Sequence, residues 1–144
     1  GALANMASED EVLARDLYEA ALSVAPDLIV MVLAATAQQD AVQSLGCKWA
    51  GEIFADRAYN DDATLVDRSK PGAVIHDAAL AGARMVKMVK AGAILTEGGK
   101  TIPAAIDTIC LHGDTPEAVD IARAVKSSLQ EAGIALKSFE GHRD

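Results

Sequence analysis

Residues Trp49–Tyr59 read WAGEIFADRAY. Period-2 alternation over Trp49–Ala55 describes a β-strand and puts Glu52, Phe54 and Asp56 on one face. An acid inside a strand and another at its rim are unusual, because carboxylates are rarely buried unpaired. Ala55-Asp56-Arg57 falls where the strand ends. In parallel α/β folds the groups that do chemistry gather at the carboxyl ends of strands, where loops begin. Two readings stand side by side. Asp56 with Arg57, or Glu52 with an arginine, forms an ion pair that fastens the loop; alternatively these carboxylates are placed for chemistry.

Working outward, Leu28–Leu33 is a continuous Leu/Ile/Val/Met run, expected to be a strand buried on both faces. Before it, Ser8–Ala25 has helical spacing, with Ser8 as the expected cap ahead of Glu9, Asp10 and Glu11. After it, Thr36–Leu45 reads as a helix stopped by Gly46. Beyond Tyr59 comes an acidic, irregular segment, Asn60–Ser69, and then a helix expected over Val74–Lys90. Ile94-Leu95 suggests a short strand, Glu97–Lys100 a turn and Ile106–Leu111 the last clear strand. Thr115–Ala132 is expected to be the last helix, with Pro116 in its first turn and Gly133 as its stop; Ile134–Phe139 is read as a final strand. Alternating strands and helices define an α/β protein with parallel strands. Three or four strands are few beside the roughly eight of the common closed barrel, so the expectation is part of a barrel or a small open sheet.

A chain of 144 residues suits a single domain, expected here over residues 1–144. It is 51% hydrophobic, 3% aromatic and carries a net charge of −8. A polyanion would be repelled and would find few stacking side chains, so nucleic acid is not an expected partner. No apolar run reaches the roughly 18 residues of a membrane span. The opening GALANMASEDEV has neither the basic region nor the apolar core of a signal peptide. Cys47 and Cys110 are isolated and form no CxxC. These features point to a cytoplasmic protein without structural disulfides or a cysteine-based zinc site.

The second chemical stretch is TICLHGDTPEAV, Thr108–Val119. Cys110 and His112 share a face, and Gly113 lets a backbone approach closely. A histidine beside an aspartate serves as general base, proton shuttle or metal ligand. The plainer alternative is that Asp114 or Thr115 caps the next helix, Asp114 with Glu117 fitting a capping box. Arg68 has the planar fork that clamps a carboxylate or phosphate, or else it is a solvated surface group. His76-Asp77 reads as a helix cap or surface, His142 as an idle tail residue and Met85/Met88 as helical core. Gly98-Gly99 is a turn without the lysine-serine context of a phosphate loop, and neither HExxH nor GxSxG occurs.

At these same residues, GEIFADRAYNDDATLVDRSKPGAVIHD followed by TICLHGDTPEAV, the sequence closely resembles the LamB/YcsF family. Members of that family act as the A subunit of prokaryotic 5-oxoprolinase. The resemblance implies the C-terminal part of a (β/α) barrel of the glycoside hydrolase/deacetylase type, lacking its N-terminal part. It implies ATP-dependent opening of the 5-oxoproline lactam to L-glutamate, with ATP handled through the complex and with B and C subunits as partners. The catalytic positions it implies are Asp56, His112, Asp114 and Glu52. Arg57, Tyr59, Arg68 and Gly113 are the implied substrate-binding positions, and no metal ligands are assigned. An incomplete sheet with an open edge predicts a homo-oligomer, strand exchange or a companion segment. Two alternatives remain. One is a deacetylase-like hydrolase whose divalent metal takes His112 and an aspartate; the other is a non-catalytic scaffolding component.

Overall fold

The computed structural model describes residues 1–143. In chain order the elements are α1 (Ala2–Glu9), α2 (Glu11–Val24), β1 (Val30–Leu33), α3 (Ala37–Leu45), β2 (Trp49–Phe54), α4 (Ala78–Ala91), β3 (Ala93–Leu95), β4 (Thr101–Pro103), β5 (Thr108–Cys110) and α5 (Ala118–Glu131). The three strands β1, β2 and β5 form a parallel sheet in that order, while β3 and β4 make a separate antiparallel pair. The fold is mixed α/β, and the described residues form an open three-stranded sheet.

Register decides which side chains meet. Leu33 stands beside Glu52, Glu52 beside Thr108, and Phe54 beside Cys110. Paired residues of parallel neighbours point the same way, so Glu52, Phe54, Thr108 and Cys110 share one sheet face. On the opposite face, Gly51 lies against residues 104–107: its amide donates to Asp107 Oδ2 at 2.8 Å, and a Cβ there would collide with the Ala105 carbonyl. Only glycine lets β2 approach that segment so closely.

The main core joins Leu33, Ile53 and Tyr59 to Met85 and Met88 of α4 and to Ile121, Val125 and Leu129 of α5. Ile109 of β5 packs against it. Helices α4 and α5 pack closely, and Gly82 admits Ser128 and the Ala124 carbonyl, which any side chain at that position would displace. The Met85/Met88 pair is fully buried, as its helical spacing suggested. A second cluster sets Val32, Val42, Cys47 and Trp49 beneath Tyr18 and Leu22 of α2. Both cysteines are free.

Several sequence expectations change at element ends. Ser8 lies inside α1 and bonds Asn5 O, whereas Asp10 caps α2 by accepting from Leu13 N. The extended Asp10 backbone divides what looked like one helix start from a preceding helix. Strand β1 is not buried on both faces, since Met31 is 53% exposed. Helix α4 begins at Ala78, capped by Asp77, because residues before it pair as extended chain, with Val74 opposite Arg57. Thr101–Pro103 is a strand that the sequence pattern did not suggest. Ile134–Phe139 is not a strand: Leu136 and Phe139 are exposed, and no ladder partner meets them among the described residues.

His142 is not idle. It exchanges two backbone hydrogen bonds with Trp49, sets its ring against the Trp49 ring at 4.6 Å and a tilt of 38°, and meets Asp107 Oδ2 through Nε2 at 2.8 Å. The tail is thereby tied to the start of β2, and with β5 and α5 it lines a cavity of about 870 Å³.

Candidate active site

Beyond Phe54, strand β2 gives way to Ala55-Asp56-Arg57, while β5 gives way to Leu111-His112-Gly113. Ala55 N still donates to Cys110 O at 3.1 Å, so the two strand exits run together. That pairing brings Asp56 to His112. The imidazole Nδ1 lies 3.0 and 2.9 Å from the two Asp56 carboxylate oxygens, and the His112 backbone N–H donates to Oδ2 at 3.2 Å. Asp56 is only 5% exposed. A buried carboxylate held this way keeps the proton on Nδ1, which leaves Nε2 as the basic nitrogen. Phe54 adds a face contact, its ring stacked on the imidazole at 5.4 Å and 26°.

Glu52 lies two residues before Phe54 on the same sheet face and is half-buried. Burial pushes its carboxyl pKa up, and the nearby His112 only partly opposes the shift. Cys110 is pushed up to about 11 by burial and by the Glu52 and Asp56 charges, which disfavours its thiolate as a nucleophile at neutral pH.

Neither the Asp56–Arg57 pair nor a Glu52–arginine pair forms among the described residues. Instead Arg57 Nη2 donates to Val66 O at 2.8 Å. Its Nε is the one buried side-chain polar atom without a partner among the described residues, and the residue is 4% exposed. Burial and the neighbouring Arg68 both lower its pKa. Arg68 bonds Asp114 at 3.0 Å, with both side chains about half exposed, and that bond holds the Asp114 carboxyl below its usual range. Asp114 therefore ties the His112 loop to the irregular segment instead of forming the capping box. Glu117 is the N-cap of α5 and makes no side-chain cap bond; it meets His76 Nδ1 at 3.4 Å. Gly113 lies at the turn beside a shallow recess lined by Leu111, Val119 and Lys126. Tyr59 is fully buried, and its hydroxyl accepts from Phe54 N–H at 2.7 Å.

Two contributors were missed in the sequence. Phe54 looked like an ordinary strand residue, and only the return of His112 gives its ring a task. Arg84 of α4 donates to Ala55 O and Arg57 O, both at 3.3 Å, clamping the backbone that carries Asp56. Its signal was an arginine within an otherwise small and apolar helix turn, AALAGARM.

No group of three or more His, Cys, Asp or Glu side chains is arranged to hold a metal ion among the described residues. Gly98-Gly99 forms the β3–β4 turn beside the Asp61 carboxylate, which does not suit a nucleotide phosphate.

A family model described as the LamB/YcsF family matches residues 1–144. The chain belongs to the LamB/YcsF family. A Ruegeria pomeroyi relative, named as the A subunit of 5-oxoprolinase, is 64% identical over 140 residues, covering 97% of this chain and 55% of its own length. A Nitrobacter hamburgensis relative of the same name is 48% identical over 140 residues, with the same 97% and 55% coverage. The crystal structure of a lactam utilization protein from Thermus thermophilus superposes with a TM-score of 0.83 at 33% identity, covering 96% of this chain and 55% of that one. The chain thus spans about half the length of the family relatives it matches. The mixed α/β fold expected from the sequence is thus one this chain shares with that structure. No helix among the described residues is long and apolar enough to cross a membrane.

Proposed function

We propose that this chain carries acid–base machinery of the 5-oxoprolinase A subunit, which opens the 5-oxoproline lactam to L-glutamate together with B and C subunits. The observation that carries the reading is the Asp56–His112 pair, held at adjoining strand exits with Nδ1 on the carboxylate. The relatives that bear the 5-oxoprolinase name support it.

In this reading His112 Nε2 takes a proton from the attacking water and returns one to the lactam nitrogen as the ring opens. Asp56 orients the imidazole and stabilises its charged form. Glu52, kept toward its protonated form by burial, is the reserve proton donor on the same face. Arg57, with Arg68 beside it, receives the substrate carboxylate, and Gly113 leaves room for the ring. Asp114 keeps the His112 loop in place through Arg68. A lactam amide is a poor electrophile. Coupling to ATP in the assembled complex would activate the lactam carbonyl, and the residues named here supply binding, orientation and proton transfer.

The sheet in this reading is part of a (β/α) barrel, with its open edge closed by a companion segment or a second copy. The deciding experiment measures L-glutamate release from 5-oxoproline by the chain combined with the B and C subunits and ATP, beside intact and native masses. Turnover that requires this chain supports the reading. Absence of turnover in an assembly whose native mass shows all components bound would refute it. Release of acetate from N-acetylated sugars, dependent on added divalent metal, would favour the deacetylase alternative.

A further inference from the structure

Asp56 holds the His112 ring by one edge only. Contacts from its two oxygens to Nδ1 set the position of that nitrogen, yet a ring held along one edge still rocks about the line of the contact. A second restraint on the face removes that freedom. The Phe54 ring supplies it, with centroids 5.4 Å apart and planes 26° from parallel. An aromatic face also attracts the charged imidazolium more than the neutral ring.

Phe54 is the last residue of β2, where an aromatic side chain would swing if its backbone frayed. Its N–H is instead taken by the Tyr59 hydroxyl at 2.7 Å, and Tyr59 is 0% exposed. Five residues on in the chain, the tyrosine folds back beneath the strand and supplies an acceptor where the ladder runs out. Phe54, Asp56 and Tyr59 of one short motif thus serve a histidine that lies far along the chain.

We propose that Phe54 and Tyr59 are positioning residues for His112: the Phe54 ring sets the imidazole plane, and Tyr59 fixes the backbone from which that ring projects. Tyr59 then acts through Phe54 and has no contact with substrate. The inference rests on the reading of Asp56–His112 as the acid–base pair, but its principal test does not need the lactam reaction.

That test is two-bond ¹H–¹⁵N NMR of the imidazole in the full chain, with the His112 signals assigned by their loss in His112→Ala. The unsubstituted chain should show one dominant neutral tautomer, protonated on Nδ1. Phe54→Leu should leave the Nδ1–H tautomer in place but lower the order parameter of the His112 Cε1–H bond, read by ¹³C relaxation; Phe54→Tyr should restore it, and Tyr59→Phe should give an intermediate value. In the assembled enzyme, Phe54→Leu should lower kcat about 10-fold with little change in KM, as expected for a misaligned proton-transfer group. An unchanged His112 ring order parameter and kcat in Phe54→Leu, with only a lower Tm, would overturn the proposal. Should Phe54→Leu fail to fold, an unaltered His112 ring order parameter in Tyr59→Phe would overturn it equally. Loss of the lactam reaction in the unsubstituted complex would count against the proposed function and leave the NMR result to decide this one.

Discussion

Asp56 grips His112 twice, through the imidazole Nδ1 at 2.9 Å and through the backbone N–H at 3.2 Å, across 56 positions of sequence. The double grip fixes both the ring and the loop that carries it. Replacing His112 by Ala in the assembled enzyme should lower lactam opening about 100-fold or more. Asp56→Asn should bring a comparable loss by favouring the wrong tautomer. Steady-state kinetics measure both, and full turnover in His112→Ala would remove that residue from the mechanism.

Arg57 and Arg68 make distinguishable contributions. Arg57 is buried with an unpartnered Nε, whereas Arg68 is half exposed and engaged by Asp114. Arg57→Met should therefore raise KM for 5-oxoproline about 10–100-fold, the worth of a charged hydrogen bond. Arg68→Met should raise it less. Titration with 2-pyrrolidinone, which lacks the carboxylate, is the control: its weak binding should be unaffected by Arg57→Met.

Burial raises the Glu52 carboxyl pKa above its ordinary value of 4.5. A folded state that holds the proton more tightly than the unfolded chain is favoured at low pH, and that advantage fades as pH rises through the folded-state value. Glu52→Gln removes the ionisation. Relative to the unsubstituted chain, the variant should be more stable at pH 7 than at pH 4, as read by urea midpoints across that range. A difference independent of pH would show that Glu52 is not desolvated.

Gly51→Ala tests the fold beneath the site. The added Cβ would strike the Ala105 carbonyl, a backbone atom that cannot swing aside. A loss of about 3 kcal/mol is expected, seen as a fall in Tm of about 10 °C. Unaltered thermal unfolding would mean that residues 104–107 do not lie against β2.

How much of this was legible beforehand depends on whether the cause was local. The strand at Trp49–Phe54, the helix Ala37–Leu45 with its stop at Gly46 and the buried Met85/Met88 pair follow from short-range periodicity and backbone chemistry, which neighbouring residues impose on one another. Asp10, not Ser8, proved to be the cap because two helices meet there, and a window tuned to one helix cannot show a boundary between two. The tail from Ile134 had a strand's composition but found no ladder partner among the described residues, and pairing depends on what lies alongside.

The site divides along the same line. Glu52 inside a strand, and Asp56, Arg57 and His112 at strand ends, stood out from the alternation of their own segments. Their partners were decided in space. Asp56 turned from adjacent Arg57 to distant His112 because β2 and β5 are hydrogen-bonded neighbours. The same pairing left Arg57 without a carboxylate partner and gave Phe54 an imidazole, while a separate antiparallel bridge to Trp49 brought His142 to Asp107. Residue type and periodicity set which groups are ionisable and which face they take, because those are properties of a few neighbouring residues. Parallel pairing joins segments remote in sequence, so only the folded chain decides which of those groups meet.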